Sequence, residues 1–422
     1  MPSKAKWTVL TYIAAHNDLD QFGNRSLMEI LDVGSTCDVV QGVLYDGKVG
    51  AGRYIMGDPG GVEWQKQLGR FDSGDPDELI TTAKWLFEQY PAERYGLVLW
   101  SHGSGWEPSE IEEVAKEARP AEAADSVESK ERSGAPGSRA LFRSTLRSLL
   151  KAEKRTERAI LFDDGTGHSL DTIELARVAG AIDETVGQPL ELLGMDACLM
   201  ANLEVAYELR KAVRYLVASE ELVPGHSWPY KDIFGALRAN PDMEGAEFAK
   251  LVVERYVSFY RANPPAVGDV TKVAIDLGQI GELALGLHTL AASLLPKIDS
   301  QADSLWKAQT ATKQRETRKG DRKDNKFAYH LWDLGTLVRQ LSAETQDLPV
   351  KEAAQALLGM LSPGGGAVVA DGHVGDWFDG LAGASVYMVR PPTRISLYYK
   401  ELALAQETCW GQMLEAYHQI YK

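Results

Sequence analysis

YGLVLWSHGSGW (residues 95–106) and LELLGMDACLMA (residues 190–201) share one build. Each opens on a short apolar run, gives way to a polar residue, His102 in one and Cys198 in the other, and continues into a loop or helix. Runs of this length, rich in Leu, Val and aromatic residues, read as strands buried on both faces. WTVLTYIAA from Trp7, DVVQGVLYDG from Asp38, AILFDDG from Ala159 and YLVASEE from Tyr215 have the same character. Between them lie stretches with helical periodicity: DELITTAKWLFEQY from Asp77, SLDTIELARVAGAID from Ser169 and LMANLEVAYELRKAV from Leu199. Strand alternating with helix predicts an α/β fold with a mainly parallel central sheet flanked by helices and joined by right-handed crossovers. The pattern holds over residues 1–262. Residues 263–422 read as a mostly helical region packed on that domain, with GASVYMV from Gly383 as one more strand candidate.

Two stretches interrupt the alternation. Residues 107–128 are acidic and Ala-rich, and residues 129–158 turn basic around SGAPGS, with a helical pattern over 141–157. This reads as an exposed insertion at about 107–158. KQRETRKGDRKDNK from Lys313 is a second polar loop, between a helix ending near Trp306 and another starting near Phe327.

Composition narrows the function. The 422 residues carry a formal net charge of −15, so nucleic acid and anionic membrane would repel the chain, while cationic polypeptides would be attracted. The basic clusters sit in probable loops with little aromatic interleaving, which argues against nucleic-acid binding. MPSKAKWTVLTY shows no apolar leader and no stretch approaches a membrane span, so a cytoplasmic location is expected. Three cysteines, Cys37, Cys198 and Cys409, are too few and too scattered for a disulfide framework.

In a parallel sheet, ligand chemistry gathers beyond the carboxyl ends of the strands. His102 and Cys198 both stand there. A thiol attacks an amide as thiolate, so an imidazole is needed to hold its proton and later give it to the leaving amine. The amide of Gly103, with that of Cys198 at the mouth of the following helix, can form an oxyanion hole. His16, after the first strand, is the main competitor for the base. Cys37 starts a strand and Cys409 lies in a late amphipathic helix, so both read as small hydrophobes.

At these residues the chain resembles the clostripain family of cysteine peptidases, relatives of caspases, gingipains and legumains. The resemblance is carried by WTVLTYIAAHNDLD, SGDPDELITTAKWLFEQYPAERYGLVLWSHGSGW, LLGMDACLMANLEVAYEL and LVASEELVPGHSWPY. It implies a caspase-like fold, with 1–262 as the peptidase domain, Cys198 as nucleophile and His102 as the catalytic histidine. It also implies cleavage after Arg, less well Lys, with Asp196 in the specificity pocket. Two residues before the nucleophile, that carboxylate falls on the same side of the strand and can pair with a guanidinium; otherwise it caps the next helix. Glu220, with Glu221, adds negative potential or lies in a solvated loop. Relatives mature by cuts between histidine and cysteine, so the insertion is expected to be the cut site of a zymogen, opened by the enzyme itself or by an upstream protease.

No cofactor is expected. Calcium is the one ion the resemblance suggests, with Asp163 and Asp164 or Asp18 and Asp20 as oxygen donors and solvated turn aspartates as the alternative. The competing reading is a catalytically idle scaffold that keeps the same shell.

Overall fold

Ten consecutive residues, Ala5–Ala14, form strand β1, and all except Lys6 are buried. A strand covered on both faces needs such an unbroken apolar run. The computed structural model describes residues 4–106, 160–163, 166–263, 269–312, 330–361, 366–396 and 398–421. The insertion at 107–158 with its expected helix, Asp164, and the polar loop from Lys313 lie outside the described residues.

After β1 come α1 (Asp20–Val33), β2 (Val39–Gly47), β3 (Gly50–Met56), β4 (Val62–Gln67), α2 (Pro76–Gln89) and β5 (Ala92–Trp100). The chain continues through β6 (Ile160–Asp163), β7 (His168–Leu170), α3 (Thr172–Val186), β8 (Leu190–Asp196), α4 (Leu203–Leu209) and β9 (Val213–Ala218). Next are α5 (Tyr230–Ala239), α6 (Gly245–Ala262), β10 (Val270–Asp276), α7 (Ile280–Leu294) and α8 (Ile298–Ala311). Last come β11 (Leu331–Asp333), α9 (Leu334–Glu344), α10 (Leu348–Leu361), β12 (Val368–Val374), β13 (Ser385–Tyr387), α11 (Ala403–Glu407) and α12 (Trp410–Gln419).

Nine strands form one sheet in the order β12-β10-β9-β8-β5-β1-β2-β3-β4. The five central strands, β9, β8, β5, β1 and β2, are parallel, and the strands outside them pair antiparallel. The chain leaves β1 for β2 through α1, then reverses across β1 to β5 through α2. Right-handed crossovers in opposite directions place the two helices on opposite faces.

Several expectations change on contact with the fold. The strands β3, β4, β10 and β12 carry no strong apolar signal; β4 is exposed at every position, and its pairing with β3 alone makes it a strand. β10 and β12 come from beyond residue 262 and extend the central sheet, so that boundary does not separate two sheets. AILFDDG does form β6, but it pairs with β7 in a separate ribbon, and β13 pairs likewise with β11. The helix expected from Leu199 begins only at Leu203, with Asn202 capping it through a 2.9 Å bond from the Val205 amide. Leu199 has φ +64°, a left-handed conformation that no helix can contain.

Helix α4 is tied to the C-terminal region by a buried acid. Glu204 Oε1 accepts the Tyr387 amide at 3.0 Å and the Tyr399 hydroxyl at 3.3 Å, while Oε2 has no hydrogen-bond partner. Burial pushes its pKa up to about 7. A raised carboxyl pKa means that the folded chain binds more protons than the unfolded chain between about pH 4.5 and 7, so this group's contribution is lost as pH rises through that window. Glu204→Gln, which mimics the neutral acid, should therefore match wild type at pH 5 and be more stable by about 2–3 kcal/mol at pH 8. Urea unfolding at the two pH values measures this; equal differences at both would remove the effect.

Candidate active site

Because β5 and β8 are adjacent and parallel, with Trp100 level with Asp196, the residues that follow them emerge at one sheet edge. His102 and Cys198 are brought together there and line one cavity with Trp100, Ser101, Asp196, Val223 and Ser227. His102 is 1% exposed and Cys198 2%, and the cavity encloses about 20 Å³. That is room for about one water molecule.

Close backbone approach sets the geometry. A Cβ on Gly103 would stand 2.6 Å from the Cys198 carbonyl oxygen and 3.1 Å from its amide nitrogen, so only glycine lets these two segments meet. Both amides of the expected oxyanion hole are thus neighbours. Cys198 is not at a helix mouth, however: it sits in the turn that Leu199 closes, five residues before α4 begins at Leu203. Any oxyanion stabilisation rests on individual N–H groups rather than on a helix end. The left-handed Leu199 costs about 1 kcal/mol or more and is held by its amide bond, 3.2 Å, to the Glu221 carbonyl. Trp106, which ends HGSGW, is buried edge-on against Tyr387 with ring centroids 4.7 Å apart. The histidine loop is anchored at both ends.

The structure adds a third group that the sequence reading used otherwise. Asp18, placed beyond β1 and considered only as a calcium donor, has its Oδ1 2.7 Å from His102 Nε2. A carboxylate only accepts, so Nε2 carries the proton and the ring's basic nitrogen is Nδ1. Asp20 is committed elsewhere, accepting the Tyr45 hydroxyl at 2.8 Å and the Lys48 amide at 3.1 Å. Asp18 positions the imidazole. If His102 is the acid/base, Asp18→Ala should lower kcat about 10- to 100-fold, the worth of one charge-assisted hydrogen bond, with KM little changed. Asp18→Asn, which still accepts from Nε2, should recover part of that loss; an equal fall in both variants would reduce Asp18 to a structural role.

His16, the competitor, points away from the dyad's partners: its Nδ1 lies 3.2 Å from Asp163 Oδ1.

Asp196 is 3% exposed and lines the cavity; it does not cap a helix. Its Oδ2 accepts bonds from the Trp228 amide at 3.0 Å, the Tyr230 hydroxyl at 2.9 Å and the Ser227 hydroxyl, while Oδ1 has no hydrogen-bond partner. Burial raises its pKa, and Lys272 with the three donors opposes the rise. Lys272 is itself buried, 4.2 Å from the Tyr256 ring centroid. Desolvation lowers its pKa to about 8 against the pull of Asp196 and Cys198. Lys272 carried no signal in the sequence; only the pairing of β10 onto β9 brings it here.

Glu220 and Glu221 are buried rather than solvated, at 7% and 6% exposure. Glu220 lies outside the dyad's cavity and lines a neighbouring one with Lys272 and Asp371. Burial, first, and the charges of Asp333 and Glu221 push its pKa well above the usual carboxylate value. Of the other cysteines, Cys37 is exposed and Cys409 partly buried.

A buried thiol and a carboxylate-backed imidazole at adjacent ends of a parallel sheet define the equipment of a thiol-dependent hydrolase. Comparison with known proteins agrees and goes further. The sequence model of the clostripain family, Peptidase_C11, matches residues 11–119 and 148–417, and the chain belongs to that family. Clostripain of Hathewaya histolytica is 26% identical over 174 residues, 39% of this chain and 25% of that protein, so the match spans a quarter of the curated relative's length. A secreted C11 cysteine protease from Bacteroides thetaiotaomicron, solved with an irreversible peptide inhibitor, superposes with a TM-score of 0.65 at 20% identity, covering 97% of this chain and all of that one. An inactive zymogen C11 protease from Parabacteroides distasonis gives 0.64 at 18%, covering 97% and 99%. The fold is that of the caspase-like C11 proteases. Among the described residues, no helix is long and apolar enough to cross a membrane.

Proposed function

We propose that this protein is a cysteine endopeptidase that cleaves polypeptides after Arg, less well after Lys, and that it is made as a zymogen. The observation that carries the reading is the cavity shared by Cys198, His102 and Asp196. The Cys198 proton passes to His102, the thiolate attacks the scissile carbonyl, and the Gly103 and Cys198 amides take up the oxyanion. His102 then gives its proton to the departing amine. Water, deprotonated by His102, releases the new carboxylate and restores the thiol.

Preference for Arg rests on Asp196. Its orientation is locked by three donors and its Oδ1 is unclaimed, so a fork-shaped guanidinium finds a preset acceptor. Lys272 is the local competitor. With a pKa near 8, it gives up its proton at modest cost when a substrate cation arrives. Glu220 lines the neighbouring cavity rather than this one and adds little attraction. A substrate Asp would face a buried carboxylate and be rejected.

The zymogen reading is supported by closure: both members of the dyad are nearly inaccessible, and the Val223 amide already donates to Cys198 Sγ at 3.3 Å. An Arg side chain needs several times the volume of the one water that fits. The solved relative from Parabacteroides distasonis is itself an inactive zymogen. Cutting at the Arg and Lys residues of 130–158, by the enzyme itself or by an upstream protease, releases the site. Replacing those basic residues with Gln should leave a chain with under about 1% of the hydrolysis reached by wild type after incubation. Full activity in the uncut chain would end the zymogen proposal. Cutting of Cys198→Ala only by added protease would place the trigger outside the molecule.

A further inference from the structure

One strand away from the dyad, the same sheet edge gathers a second cluster. His16, Asp46 and Asp163 each present a ligand-type atom, and these atoms lie within 4.8 Å of one another. The three come from separate segments: His16 from the loop after β1, Asp46 from the end of β2, and Asp163 from the end of β6, where the described chain resumes after Trp106. Both carboxylates are only 2% exposed. His16 Nδ1 stands 3.2 Å from Asp163 Oδ1, yet buried Asp46 Oδ2 has no hydrogen-bond partner. Two carboxylates buried side by side repel each other, and a cation held between them relieves that repulsion.

We infer that His16, Asp46 and Asp163 form a binding site for a borderline divalent cation of the zinc or manganese type. One imidazole and two carboxylates are the donor set such ions favour, and a 2+ charge neutralises both acids while the imidazole binds in its neutral form. Calcium prefers six to eight oxygens and draws little from an imidazole. Three donors around a zinc ion sit about 3–3.5 Å apart, and His16 Nδ1 and Asp163 Oδ1 already stand 3.2 Å apart. The ion fastens β6 to the ends of β1 and β2. His16 is two residues from Asp18, which holds His102, so the fastening also steadies the support of the imidazole. This site is separate from the dyad and does not depend on the peptidase reading.

The test uses the full chain carrying Cys198→Ala, so that the active-site thiol does not compete for zinc. After chelator treatment, the protein is equilibrated separately with Zn²⁺, Mn²⁺ and Ca²⁺, and bound metal and unfolding midpoint are measured. About one equivalent of Zn²⁺ or Mn²⁺ is expected, with a raised midpoint. Asp46→Asn and His16→Gln should each weaken uptake at least tenfold, in proteins whose circular dichroism matches the parent. Failure of the parent to bind either ion stoichiometrically, retention of full affinity in both variants, or binding of Ca²⁺ alone would each overturn the assignment. If a variant does not fold, the parent's uptake and the remaining variant decide.

Discussion

Cys198→Ala should yield a folded chain whose peptide hydrolysis is lower by ~10⁴-fold or more, with His102→Ala lowered comparably and the double variant no more than a few-fold worse than either. The size of the effect follows from the loss of the nucleophile, since transition-state binding without it recovers only a small part of the rate. The lack of additivity follows from the shared proton: with no thiolate to form, the base has nothing to do. Folding should survive because neither side chain spans a large apolar contact, and Ala fits the space of a thiol. Hydrolysis of an Arg-containing peptide, with active-site titration by an Arg-directed electrophile, reads the result. Near-wild-type turnover in Cys198→Ala would end the assignment. Activity retained in His102→Ala but lost in His16→Ala would move the base to the neighbouring cluster. A folded wild-type chain, cut in the insertion yet unlabelled at Cys198, would favour the idle scaffold.

Asp196→Asn is the second variant with a large expected effect. Asparagine keeps an oxygen for the Trp228, Tyr230 and Ser227 donors but removes the charge that a guanidinium would meet. A charged hydrogen bond in a dry site contributes about 1.5–3 kcal/mol, so kcat/KM for cleavage after Arg should fall about 10- to 150-fold. Because Asp196 also faces Lys272, a general collapse of the site is a competing cause of lost activity. The ratio of cleavage after Arg to cleavage after an uncharged residue of similar length separates the two. Specificity loss lowers the ratio, whereas collapse lowers both rates equally. An unchanged ratio, or efficient cleavage after Asp, would show that the pocket is read wrongly.

How much of this was legible in advance depends on the range of the physics. The strands β1, β2, β5, β8 and β9 could be read from residue order because a strand buried on both faces must be apolar along its length. Cys198 and His102 stood out because each ends such a run, and the glycines after His102 because a backbone must come close there. These are local facts. Strands at the sheet margin, β4 and β12 among them, are partly or wholly exposed and lacked that signature. The expected helix after Cys198 failed locally as well, since its periodic pattern gave no sign that Leu199 would adopt a positive φ.

What only the tertiary structure decided are the pairings of charge. Sequence order says nothing about which strand ends become neighbours, and the sheet order β10-β9-β8-β5-β1-β2 sets that. It puts Asp18 against His102 and Lys272 beside Asp196, while the separate β6–β7 ribbon brings Asp163 to Asp46. Burial then fixes what each group does: desolvation pushes the pKa of Glu220 up and draws Lys272 toward neutrality, although both look like ordinary solvated charges in the sequence. The candidate thiol and imidazole, Cys198 and His102, are legible in the chain's local pattern. Their support, and the electrostatics around them, exist only once distant strand ends share one dry edge.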